Sequence, residues 1–244
     1  MGTVSVRVEC PYHYYIKCNL WEEGMSAYTP LQQRAYEYLL NMIRNGELKP
    51  GTIYSETKLA SEIGISRTPV KDALVRLDQD RYIDILPSKG FCLHIMTKED
   101  VETTFETRIA VEGYCALKLA KCAQSEQGIK TLDELASNLQ LMEELIDSEA
   151  SLDRIMECDM SFHKTIAQFP GNPELLKLYE SLGHRVATFA MESFERPERV
   201  EAALAEHRAI YGSVLNSGGE IYIDPYLAVA KHMDAARDII LEMI

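Results

Sequence analysis

The chain has 244 residues, 46% of them hydrophobic and 26% charged, and a formal net charge of −13. This supports one large or two medium cores and excludes a disordered tail; no apolar run approaches the roughly 18 residues of a membrane-spanning helix. The charge divides at Thr97: residues 1–97 carry 11 Lys/Arg and 11 Asp/Glu, residues 98–244 carry 14 and 27, so the second half is excluded as a nucleic-acid surface.

Residues 1–24 hold Tyr12, Tyr14, Tyr15, two cysteines and no apolar pattern that leads anywhere. They are expected to be a non-native extension, with translation starting at Met25, or a short disordered or swapped arm. They lack the continuous apolar middle of a signal peptide. The domain expected over residues 25–97 begins with Tyr36, Leu39, Leu40 and Ile43 at helical spacing, closed by Asn45 and Gly46. A turn through Pro50 and Gly51 reaches Ser55, an N-cap for a short helix with Leu59, Ala60 and Ile63 inward and Gly64 as its stop. Ser66 caps a third helix, with Pro69 in its first turn and Val70, Ala73, Leu74 and Leu77 as its buried stripe. Two strand-like runs follow, Tyr82 to Leu86 and Phe91 to Met96, joined by Pro87, Ser88, Lys89 and Gly90.

Two helices joined by a tight Gly-containing turn, followed by a hairpin, make a winged helix-turn-helix, whose second helix enters the major groove of DNA. Its outward face begins with Ser66, Arg67, Thr68 and Lys71, and the wing tip presents Lys89 and Gly90. Arg67 can fork onto guanine, while Thr68, Lys58, Lys71 and the amides at the helix start suit phosphates. Any one of these is an ordinary solvated residue; together with the wing they make a reading surface. The run Leu48-Lys49-Pro50-Gly51, then Glu56, Leu59, Ala60 and Gly64, then Ser66 through Leu74, with Leu77 and Gly90, resembles the DNA-binding domain of the GntR family of bacterial transcription regulators. That family usually has Arg-Glu where this chain has Lys71 and Asp72, and often Arg at Lys58. Lysine keeps the charge there and loses the planar fork.

From Thr97, with Asp100 three residues on, about six helices are expected, at 98–122, 127–148, 151–168, 173–193, 197–216 and 225–243. Only a weak strand-like run, Ile221 to Ile223, competes. The fold class is therefore mainly α, a winged helix-turn-helix followed over 98–244 by an antiparallel helical bundle. Bundles build ligand sites from inward polar side chains. Asp159 and His163 fall one turn apart on the stripe of Ile155, Phe162 and Ile166; His207 lies with Leu204, Tyr211 and Val214, and His232 with Val229 and Ile239. A single such histidine is an ordinary core residue, whereas three with an Asp at i−4 suggest ligands of one ion. His184 falls with Lys177 and Ser181 on the polar side of a continuous helix and is set aside. Arg108 and Glu112 share the stripe of Val101, Phe105 and Cys115, either as an internal ion pair or with Arg108 aimed at an anion; Arg185 is a weaker second candidate.

Asp159, Phe162, His163, Asn172-Pro173, Glu206-His207 and His232 resemble the metal-binding effector domain of the FadR subfamily of GntR regulators, often called the FCD domain. The resemblance implies a divalent ion on Asp159, His163, His207 and His232, with zinc as the first expectation and nickel, manganese or iron as alternatives. The interval from His207 to His232 is a few residues longer than usual, with Ser217 to Tyr226 as the insertion. One carboxylate and three neutral imidazoles leave a net charge of about +1 and two open positions on an octahedral ion, which suits an anion. A homodimeric repressor of palindromic operator DNA, gated by a small carboxylate effector, is expected; a metal sensor and a metalloenzyme are the alternatives. The six scattered cysteines (Cys10, Cys18, Cys92, Cys115, Cys122, Cys158) read as reduced thiols of a cytoplasmic protein.

Overall fold

The computed structural model describes residues 29–196, 198–216 and 223–244. The expectations for residues 1–24, and most of the Ile221–Ile223 run and of the Ser217–Tyr226 insertion, lie outside them. The chain divides into two compact units between Ile95 and Met96.

The first unit holds α1 (Pro30–Arg44), α2 (Glu56–Ile63), α3 (Arg67–Gln79), β1 (Ile83–Leu86) and β2 (Gly90–Leu93). Thr29 and Gln32 close a reciprocal capping box ahead of Pro30 at the first helical position. Ser55 caps α2 by accepting from the Lys58 amide, and α2 stops at Gly64 with φ 74°, a left-handed conformation that costs glycine little. Ser66 precedes α3, but its side chain makes no capping hydrogen bond. Leu39, Ile43, Leu59, Ile63, Val70, Leu74 and Leu77 form the core on which the hairpin sits through Ile83, Phe91 and Leu93.

The strands pair antiparallel from Ile83↔Leu93 to Leu86↔Gly90 and are shorter than the sequence suggests. The wing tip is the turn Leu86–Lys89, closed by the Lys89 amide donating to the Leu86 carbonyl at 3.0 Å, with Pro87 and left-handed Ser88 (φ 63°) in its middle. Gly90 is not part of this tip. It opens β2 at φ 127°, and a Cβ there would lie 2.0 Å from the Tyr54 carbonyl oxygen. The glycine is required by backbone packing, because Tyr54 and Phe91 exchange backbone hydrogen bonds next to it.

The second unit is all helix among the described residues: α4 (Lys98–Lys121), α5 (Glu126–Asp147), α6 (Leu152–Gln168), α7 (Pro173–Glu180), α8 (Gly183–Phe194), α9 (Arg199–Leu215) and α10 (Asp224–Met243). Thr97 and Asp100 close the capping box of α4, Ser125 caps α5, and Asn172 caps α7 ahead of Pro173. The helix expected over 173–193 is two helices, broken at Ser181 and Leu182. Helical phase does not carry across that break, so His184 is buried on α8 and not on a polar face. Gly113 on α4 lets α10 approach closely: a Cβ there would meet the Tyr226 ring at 2.5 Å. The two helices carrying Arg108, Glu112 and His232 are thereby held against each other.

Candidate metal centre and nucleic-acid interface

Four side chains from three helices converge in the core of the second unit. Asp159 and His163 come from α6, His207 from α9 and His232 from α10; all are buried, and one ligand atom from each lies within 4.8 Å of the others. They are side by side because a four-residue spacing stacks Asp159 and His163 on one face of α6. His163 Nε2 is 3.1 Å from Nε2 of both His207 and His232, and Asp159 Oδ1 is 3.3 Å from His207 Nε2.

The rings are fixed from behind. His163 Nδ1 contacts Glu112 Oε2 at 2.6 Å, and His232 Nδ1 contacts Glu206 Oε2 at 2.7 Å. Burial, before any neighbouring charge, holds all three imidazoles well below their ordinary pKa. These contacts are therefore hydrogen bonds donated by neutral rings. With Nδ1–H donated to glutamate, Nε2 of His163 and of His232 face each other as lone pairs 3.1 Å apart in the buried core. A cation between them removes that repulsion, and three neutral imidazoles with one carboxylate are the ligands a divalent ion takes. Burial also pushes the Asp159 carboxyl up to about 7, a shift that an adjacent cation reverses.

Each glutamate carries its own cation. Arg108 Nε donates to Glu112 Oε1 at 2.7 Å and Arg199 Nη1 to Glu206 Oε2 at 2.9 Å, with both guanidiniums buried. Burial raises the Glu112 carboxyl, and Arg108 is the strongest influence against it. The expected internal pair of Arg108 and Glu112 is present, but it leaves Arg108 Nη2 buried without a hydrogen-bond partner, as is Thr104 Oγ1 one turn earlier. Arg185 is half-buried on α8. The sequence pattern does not point to Arg199, and Glu206 is reached only through the family resemblance. The available signal was their seven-residue spacing, which puts them on one face of α9. The buried thiols Cys115 and Cys158 are pushed up to about 12 and about 11, chiefly by burial, and are unreactive.

In the first unit, Ser66, Arg67, Thr68 and Lys71 are exposed at the start of α3, Lys58 is exposed on α2, and Lys89 is exposed on the wing tip. The Arg67 side chain is 60% exposed and lies 3.6 Å from Glu56, close enough to steady the guanidinium without burying it. Asp72 accepts from Gln32 of α1 at 2.6 Å, so it braces α3 against the core. No described helix is long and apolar enough to cross a membrane.

Two family models match the chain, "Bacterial regulatory proteins, gntR family" over residues 31–93 and "FCD domain" over residues 103–220. The chain is 28% identical over 204 residues to the uncharacterised HTH-type transcriptional regulator YdhC of Bacillus subtilis (strain 168), covering 84% of this chain and 89% of that one. It is 26% identical over 170 residues to the gluconate operon transcriptional repressor of Bacillus licheniformis, covering 68% of each. The solved structure of E. coli McbR/YncC shares the fold over 88% of this chain and 99% of that one, with a TM-score of 0.61 at 20% identity. The chain therefore belongs to the GntR family of bacterial regulatory proteins, as a DNA-binding transcriptional regulator with an FCD domain and not an enzyme.

Proposed function

We propose that the protein is a cytoplasmic, homodimeric repressor whose FCD domain receives a small carboxylate at a divalent metal held by Asp159, His163, His207 and His232. The observation that carries this is the convergence of four buried ligand atoms, one each from Asp159, His163, His207 and His232, within 4.8 Å of one another. Zinc suits the nitrogen-rich donor set best, with nickel, manganese and iron next. The metal supplies a Lewis-acid anchor for an anion. Arg108 Nη2 supplies two more donors near it, and Arg185 is a second candidate to meet the far end of the effector. The gluconate operon repressor among the relatives supports a sugar acid or hydroxy acid. On DNA, Arg67 reads a base edge, while Ser66, Thr68, Lys58, Lys71 and Lys89 hold phosphates; Gly90 serves by shaping the wing.

Elemental analysis of the purified protein tests the site. His163→Ala together with His207→Ala is expected to lose the bound metal, and retained stoichiometric metal refutes the assignment. Titrating operator binding first with a chelator and then with candidate acids separates the modes of control. A response to metal alone makes the ion itself the signal; a response that needs metal and acid together supports effector gating.

A further inference from the structure

Two of the three imidazoles are held by the same device, a glutamate backed by a buried arginine, but the two devices are not equivalent. Arg108 keeps one nitrogen without a partner beside the cage. Arg199 is held at two of its nitrogens: Nη1 donates to Glu206 at 2.9 Å and Nε to Ser193 Oγ at 3.2 Å. Among the described residues Glu206 hydrogen-bonds one ring, that of His232, at 2.7 Å. His207, the residue after Glu206, has no acceptor at Nδ1 and is held by its stack on Phe162, with centroids 4.3 Å apart and planes 10° apart. Successive residues of α9 thus contribute one imidazole and hold a second one, carried by α10.

We infer that Glu206, backed by Arg199, is a positioning residue of the metal centre, which this inference takes from the function proposed above. A neutral imidazole has one N–H. Locking it on Nδ1 of His232 leaves the Nε2 lone pair facing Asp159, His163 and His207 and fixes the ring plane at the same time. The Arg199 guanidinium balances the carboxylate charge, so the device adds no net charge to the core. Its main contribution is to metal affinity.

The test uses the full-length chain. Dissociation constants for Zn(II) and Co(II) are measured by competition with a chromogenic chelator, together with the visible spectrum of the Co(II) form. Glu206→Gln keeps an acceptor oxygen and drops the charge; Glu206→Met drops both. Expected losses of affinity are about 10-fold for Gln and about 100-fold for Met, with a shifted Co(II) band for Met. Glu206→Gln leaves the buried Arg199 charge uncompensated, so metal-free Glu206→Gln should melt below wild type, while Glu206→Gln with Arg199→Met should recover the melting temperature and keep the loss of affinity, which a merely structural role would not allow. If Glu206→Met fails to fold because Arg199 is stranded, Glu206→Met with Arg199→Met must show the same loss. Unchanged affinities and spectrum in both single variants overturn the role of Glu206 alone. A wild-type chain that takes up neither ion overturns the metal centre and this inference with it.

Discussion

Replacing Arg108 by methionine takes the cation from a carboxylate with no solvent access. Glu112 is 0% exposed and has two partners, Arg108 Nε at 2.7 Å and His163 Nδ1 at 2.6 Å. In metal-free protein at pH 7 the variant leaves Glu112 two options. It can stay charged, and stranding a buried charge costs about 3–5 kcal/mol. Alternatively it takes up a proton; bringing a carboxyl of ordinary pKa 4.5 to neutrality at pH 7 costs about 3.4 kcal/mol at about 1.4 per unit. The cheaper route sets the loss near 3 kcal/mol. For a domain of about 150–250 residues each kcal/mol moves the midpoint by about 2–4 °C, so the helical domain should melt about 6–12 °C lower. Arg108→Met with Glu112→Gln removes both charges and keeps an acceptor for His163, so most of the loss should be recovered. Scanning calorimetry of chelator-treated full-length protein decides it. A double variant no more stable than the single one refutes the claim that Arg108 is what makes a buried Glu112 tolerable.

The DNA face and the pH response supply the other predictions. Arg67→Ala should cost about 1–3 kcal/mol of operator affinity, roughly 5- to 150-fold, while non-specific binding falls much less and the melting temperature holds; unchanged discrimination in a gel-shift titration removes Arg67 from the base contacts. Metal-free protein should lose stability in mild acid. Below about 6.5 the unfolded chain takes up three protons at His163, His207 and His232 that the native core refuses. Asp159, held near 7 in the native core against its ordinary 3.8, offsets one of them, and raised Glu112 offsets part of another. The unfolded state therefore binds up to two more protons near pH 5, and stability falls with falling pH by up to roughly 3 kcal/mol per unit. Urea titrations from pH 5 to 7 in chelator measure this, and a flat profile contradicts neutral buried rings.

The winged domain was almost fully legible because its signals are local. Ser55, Gly64 and Pro69 set helix ends by their own backbone and capping chemistry, and a hairpin is bounded by its turn. Local pattern puts Gly90 at the wing tip, because the partner that requires a glycine there, Tyr54, is 36 residues away and no local pattern announces it. In the helical domain the inward stripe of α6 was readable, and with it Asp159 and His163. The sequence pattern misplaces His184 because a stripe transmits phase only along an unbroken helix, and the break at Ser181–Leu182 carries no proline; Gly183, the first residue of α8, stands directly after it as a weak mark. The contacts of Glu112 with His163 and of Glu206 with His232 span 51 and 26 residues, so their pairing depends on which helices pack together.

The charge of the helical domain makes the local design of the cage necessary. Residues 98–244 carry 27 acidic against 14 basic side chains, a field that repels a carboxylate approaching from a distance. Screening confines most of that repulsion to about 8 Å in physiological salt, so the inner few ångströms decide binding. There the count reverses. Arg108 with Glu112 and Arg199 with Glu206 cancel in pairs, Asp159 carries one negative charge, and the imidazoles are neutral. A divalent ion brings the cage to a net charge of about +1, which one carboxylate neutralises. Without the ion the same core holds about −1 once Asp159 ionises, and an anion gains nothing by entering. On the proposed function metal and carboxylate are therefore expected to be linked by charge, each favouring the other by the same factor. Carboxylate binding that persists undiminished after chelation would show that Arg108 alone supplies the attraction, and that the four-residue cage serves some other end.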